Sequence, residues 1–163
     1  MNEREVAEDR NQIVDTYRQH RHGLVRFATV LVGPDAAQDV VSSAVLRVLE
    51  RNPGAVERPK AYLYTAVANQ ARNHERGEAR RRGREAKAPR AQVQAAPAEP
   101  YPEVREAIER LSVRQRAVIY LSYWEDLPDQ AVAEHLGVTI GTVRRHLHRA
   151  RQHLRRTLHD RDR

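Results

Sequence analysis

The stretch from Asp129 to Arg156, DQAVAEHLGVTIGTVRRHLHRARQHLRR, leaves this chain few folds to choose from. It reads as two helices joined by a tight turn, the second helix heavily basic. Val132, Ala133 and Leu136 give the first helix an apolar face, and Gly137 stands where the chain must reverse. Glycine takes positive φ there without the steric cost of a Cβ. Thr139 is placed to cap the next helix by accepting from an orphan backbone N–H. In that helix Val143, Leu147, Ala150, Leu154 and Leu158 recur at helical spacing as a single apolar stripe. The small Ala133 allows close helix crossing, so the whole stretch predicts a helix-turn-helix.

Charge points the same way. The chain of 163 residues carries 29 Lys+Arg against 22 Asp+Glu, a formal net charge of +7, which favours a polyanionic partner. All the basic residues but Lys60 and Lys87 are arginines, suited to bidentate contacts with phosphate and guanine. With no cysteine, neither a disulfide framework nor a thiolate metal site is expected. The start, MNEREVAEDRN, is acidic and polar and unlike a signal peptide, and no apolar run approaches the ~20 residues of a membrane span. A soluble, cytoplasmic protein is expected.

In the first half, Ile13, Tyr17, Leu24, Phe27, Ala28 and Leu31 predict one or two helices that end at Gly33-Pro34. Asp35 is placed to cap a second helix, reaching about Arg51, with Val41, Ala44, Val45, Val48 and Leu49 on one side. Asn52-Pro53-Gly54 breaks it, and Pro59 fits the first turn of a third helix that turns Leu63, Ala66, Val67 and Ala71 inward. This helix runs into a basic stretch: residues 72 to 90 hold eight Lys/Arg against three Glu. Such a run fits a solvated helix end, but Tyr62, Tyr64, Asn69 and Asn73 lie on the same helix. Stacking aromatics, amides and arginines are what single-strand binding uses, although the two tyrosines fit core positions equally well.

Ala86 to Pro102 contains four prolines and no stripe that would bury, and reads as a flexible tether. After it, Val104, Ala107, Ile108 and Leu111 predict a short helix. Ser112 and Gln115 form a capping box for the next one, which carries Ala117, Val118, Tyr120, Leu121 and Trp124. Tyr123 and Trp124 are expected as core or half-buried packing, and Pro128 suits the first turn of the following helix. The fold class is all-α: two small helical domains joined by a flexible Pro/Ala-rich linker, the second a helix-turn-helix domain.

Four segments in this order, AAQDVVSSAVLRVLE, RPKAYLYTAVANQARN, LSVRQRAVIYLSYWEDL and VAEHLGVTIGTVRRHLHRARQHL, resemble the extracytoplasmic-function group of bacterial RNA polymerase sigma factors in the sigma-70 family. The resemblance runs from about Tyr17 to Leu158. It implies region two over residues 1–85, a linker over 86–102 and region four over 103–163. In that family the two regions bind core RNA polymerase and direct it to promoter DNA, and many members are held inactive by an anti-sigma factor. The resemblance places Asp39, Val40, Ser43 and Arg47 near the polymerase clamp. It places the loop and helix bearing Arg58, Lys60, Asn69, Arg72, Asn73 and Arg76 on the −10 element, where a flipped base needs a pocket. It places Thr142, Arg144, Arg145, His148 and Arg149 in the major groove at the −35 element.

An enzyme is not expected, and no cofactor is implied. None of the eight histidines falls in an HExxH frame, no Gly-rich phosphate loop occurs, and His146 and His148 point to different helix faces. The other alternative is a stand-alone helix-turn-helix regulator that binds an operator as a dimer. It accounts for Asp129–Arg156 but not for the first half of the chain.

Overall fold

The structure is a computed structural model that describes residues 3–51, 54–84 and 102–159. Among these the regular elements are all helical. The first half is a bundle of α1 (Glu3–Val32), α2 (Pro34–Arg51) and α3 (Pro59–Arg84). A single α1 spans the stretch for which one or two helices are expected. Gly33, at φ 87°, donates its N–H to the Thr29 carbonyl and turns the chain into α2. Asp35 therefore sits within the first turn rather than at the cap, and Pro34 opens the helix. The bundle core is Leu24, Phe27 and Leu31 against Val41 and Val48 and against Leu63 and Val67. At Gly23 α1 runs close against α3: a Cβ there would lie 2.9 Å from the Tyr64 hydroxyl.

The second half contains α4 (Pro102–Glu109), α5 (Val113–Ile119), a π-helical turn (Tyr120–Trp124), α6 (Asp129–Leu136) and α7 (Ile140–His159). The expected tether, Pro102 apart, lies outside the described residues. Ser112 and Gln115 close the capping box in both directions. Gly137 ends α6 in the left-handed region at φ 62°, and Thr139 Oγ1 accepts from the Thr142 N–H at 3.2 Å. Val132 and Ala133 of α6 meet Val143 and Leu147 of α7, and Val113, Val118 and Leu121 form the support beneath.

The two halves pack directly on each other. Phe27 of α1 lies 5.1 Å from Tyr64 and 5.4 Å from Tyr120, ring centre to ring centre, so one apolar core runs unbroken from the bundle into the helix-turn-helix. Burial holds the Tyr64 hydroxyl protonated, its pKa pushed up to about 12.

Tyr123 and Trp124 depart from expectation: they are 59% and 73% exposed. The π turn, closed by Glu125 N–H to the Tyr120 carbonyl, holds one extra residue and carries Trp124 off the buried stripe. The indole keeps one face covered by stacking on Tyr120 at 6.4 Å.

Candidate nucleic-acid interface

On α7 the apolar stripe fixes the helix by its inner side, since Val143, Leu147 and Ala150 are all buried. The opposite side therefore carries the residues expected at the −35 element. Arg145, His148 and Arg149 are exposed and have no ion-pair partner among the described residues. Arg144 differs: its Nε donates to Asp129 Oδ2 at 2.9 Å, which ties the second helix of the motif to the start of the first. Thr142 sits at the N-terminal end, its hydroxyl 3.0 Å from that of Thr139. The arrangement is a cationic outer arc at a helix start, backed by a core that prevents the helix from rolling. Such a helix suits insertion into a groove lined by phosphates.

The residues expected at the −10 element spread along the start and outer side of α3. Asn69 and Asn73 are exposed, and Arg72 Nη1 donates to Asn69 Oδ1 at 3.2 Å. Asn69 and Asn73 also line a polar pocket of about 220 Å³ between α2 and α3, together with Tyr62 and Gln70. Gln70 Oε1 is buried there without a hydrogen-bond partner. Sequence periodicity gave no reason to single out Gln70; only the pocket does. Arg47, expected toward polymerase, lines this same pocket. Lys60 reaches over the Tyr64 ring at 5.9 Å, and Arg76 is exposed farther along α3.

Part of this set is tied to the second half. Arg58 forms an ion pair with Glu134 of α6, and the Thr65 hydroxyl donates to the His135 carbonyl at 3.0 Å, satisfying an orphan acceptor in the last turn of α6. Arg116 of α5 reaches Glu75 of α3 at 3.1 Å. His135 itself lies edge-on to Tyr64 at 5.3 Å, and burial is the main cause of its lowered pKa. Asn69 and Arg72 face Val138 and His146 across a cleft. The packing thus brings Arg58, Asn69 and Arg72, of the expected −10 residues, beside the second half.

On α2, the face that bears Asp39 and Ser43 is open to solvent, Asp39 exposed and Ser43 half-buried. Val40 does not belong to that face: it is 3% exposed and packs in the bundle core, one position round the helix from Asp39. The apolar side chain that α2 does leave outside is Leu46, 58% exposed and two turns beyond Asp39. That heptad spacing was its available signal. A second patch that sequence reading missed surrounds Tyr123, where Arg151 Nε donates to the phenol oxygen at 2.7 Å. Ile119, Leu154 and Leu158 line the groove beside it.

Comparison with known proteins places this geometry in a family. The family model described as Sigma-70 region 2 matches residues 16–81, and the one described as Sigma-70, region 4, matches residues 102–154. The chain is 30% identical over 155 residues to an RNA polymerase sigma-E factor of Streptomyces avermitilis, covering 89% of this chain and 84% of that one. It is 31% identical over 156 residues to the ECF RNA polymerase sigma factor SigL of Mycobacterium tuberculosis, covering 88% and 87%. Among solved structures it resembles the sigma factor RpoE of Bartonella quintana in complex with the anti-sigma factor NepR. The TM-score is 0.68 at 23% identity, covering 90% of this chain and 96% of that chain, which is a likeness of fold.

Proposed function

The chain belongs to the extracytoplasmic-function sigma factors of the sigma-70 family, and from that premise we propose how its own residues carry out the task. The protein is an RNA polymerase sigma factor that directs core polymerase to specific promoters and aids their opening. It makes and breaks no covalent bond itself, and it works in the cytoplasm, where polymerase and promoter meet. Residues 1–85 act as region two, 86–102 as the tether and 103–163 as region four. An operator-binding dimeric regulator leaves the region-2 match over residues 16–81 without a purpose.

The observation that carries the reading is the outer arc of α7, where Arg145, His148 and Arg149 stand opposite a buried stripe with no ion-pair partner among the described residues. These residues, with Thr142 and Arg144, contact the −35 element. Contacts to phosphate give salt-dependent affinity. Side chains on base edges add about 1–3 kcal/mol of discrimination per good pair. On α3, Asn69 and Asn73 read the −10 element, while Arg58, Lys60, Arg72 and Arg76 hold its backbone. The polar pocket beside Asn69 suits a base turned out of the stack. Asp39, Ser43 and Leu46 form the α2 face offered to polymerase, and an anti-sigma factor that covers such faces is the regulator expected.

Because Arg58, Asn69 and Arg72 lie against α5–α7, the two halves separate when polymerase and promoter are engaged. Run-off transcription with core polymerase over a genomic promoter library tests the function. Promoter-specific transcripts are expected, and none above core polymerase alone would refute it.

A further inference from the structure

The contact between the two halves is mostly complementary: Arg58 meets Glu134, and Arg116 meets Glu75. At one place it is not. A cleft of about 130 Å³ opens between α3, α5, α7 and the Gly137 turn; its polar side chains are Thr65, Asn69 and Arg72 on one side and Arg114 and His146 on the other, and the rest of its lining is mainly apolar. Among the described residues no carboxylate lines it. Arg114 and His146 have no ion-pair partner among the described residues, and Arg72 has only the Asn69 amide. His146 Nε2 is buried with no hydrogen-bond partner.

The electrostatics record the resulting repulsion. Arg72 is held below the ordinary arginine range first by burial and then by Arg114 and Arg76. His146 is lowered first by burial and then by Arg114, Arg145 and Arg149. Cations converging from both sides of a packed interface oppose that packing unless an anion lies between them.

We propose that this cleft is a binding site for a small phosphate compound, held between Arg72, Arg114 and His146 at the junction of the two halves. The cleft has room for several waters or for one phosphate group. A duplex backbone cannot enter so small a space, whereas a free phosphate or the terminal phosphate of a small metabolite can. The guanidinium groups supply paired donors to its oxygens. The amide nitrogen of Asn69 is free to add another, since its oxygen accepts from Arg72. The site takes one wall from each half and so exists only while they are packed. Its occupant therefore stabilises the packed arrangement by mass action, about a hundredfold at a ligand concentration a hundred times Kd. Binding itself is independent of the sigma-factor reading; only its consequence, delayed engagement of a promoter, rests on that reading.

The test is calorimetric titration of the full chain with inorganic phosphate and with pyrophosphate at constant ionic strength. One saturable site is expected. Arg114→Ala should weaken it roughly ten- to hundredfold, as befits the loss of a charge-assisted contact. Arg155→Ala, which removes the same charge from the far end of α7, should change it less than about twofold, within what screened long-range charge allows. Arg114→Glu should abolish it. With core polymerase and no added phosphate, Arg114→Ala should initiate as the natural chain does, which separates this site from the promoter contacts. Absence of saturable binding by the natural chain, or equal weakening by Arg114→Ala and Arg155→Ala, overturns the proposal in favour of diffuse attraction to a basic surface.

Discussion

Gly137→Ala is the substitution that probes the turn of the motif and the contact between the halves together. Gly137 sits at φ 62° and ψ 40°, where a Cβ crowds the following carbonyl at a cost of about 1–2 kcal/mol. The new methyl group would also lie 3.2 Å from Thr65 Cγ2. Thr65 cannot swing away freely, because its hydroxyl donates to the His135 carbonyl at 3.0 Å. The turn alone should therefore lower Tm by roughly 2–8 °C, at about 2–4 °C per kcal/mol for a chain of this size. Circular dichroism melts at fixed pH and salt measure it. Thr65→Ala removes the clashing methyl, so Gly137→Ala should cost less in that background than in the natural one. The difference is the energy of crossing the interface. An unchanged Tm would refute the left-handed turn, and an identical cost in both backgrounds would refute the contact between Thr65 and Gly137.

Four further outcomes are expected. Ser112→Ala removes the cap from α5, including the bond from the Gln115 N–H at 3.3 Å, and should cost about 1 kcal/mol in urea unfolding; no loss would remove the capping box from the account. Burial lowers the pKa of both His135 and His146 from the ordinary 6.5, so the unfolded chain binds more protons than the folded one near and below that value. Stability from these groups is present above pH 6.5 and is lost as pH falls through their lowered values. Melts from pH 7.5 to 5.5 should show the decline, less steep in His135→Gln, and a flat profile would contradict it. Arg149→Ala should weaken −35-dependent transcription and reduce its salt dependence, while Asn69→Ala should impair opening more than recruitment. Unchanged promoter use, or wild-type permanganate reactivity of the open bubble, would remove those residues from their assigned roles.

What the sequence disclosed is what short-range chemistry determines. The stripe from Val143 to Ala150, the Ser112–Gln115 box and the Gly137–Thr139 turn each span a few residues whose side chains bond or pack locally. The packing of the halves has no such signature. Thr65 and His135 are 70 residues apart, and Glu75 and Arg116 are 41 apart, so each reads alone as an ordinary surface residue. Val40 was misplaced because the resemblance named a helix and not a face. Trp124 was misplaced because a single π turn shifts every later side chain by one position, which helical periodicity cannot anticipate. The cleft between Arg72 and Arg114 lay equally out of reach, since its walls come from different halves.

The halves of this sigma factor are proposed to part when polymerase and promoter bind, and a crosslink between them tests that directly. The chain has no cysteine, and a Cβ on Gly137 would lie 3.2 Å from Thr65 Cγ2, so Thr65→Cys with Gly137→Cys brings two thiols into side-chain contact, where oxidation can join them. Run-off transcription with core polymerase would compare the oxidised and reduced forms of this double variant. Reduced protein should give promoter-specific transcripts, oxidised protein almost none, and added reductant should restore them. Equal transcription from both forms would contradict the parting of the halves, and no transcripts from the reduced form or from the natural chain would contradict the function itself.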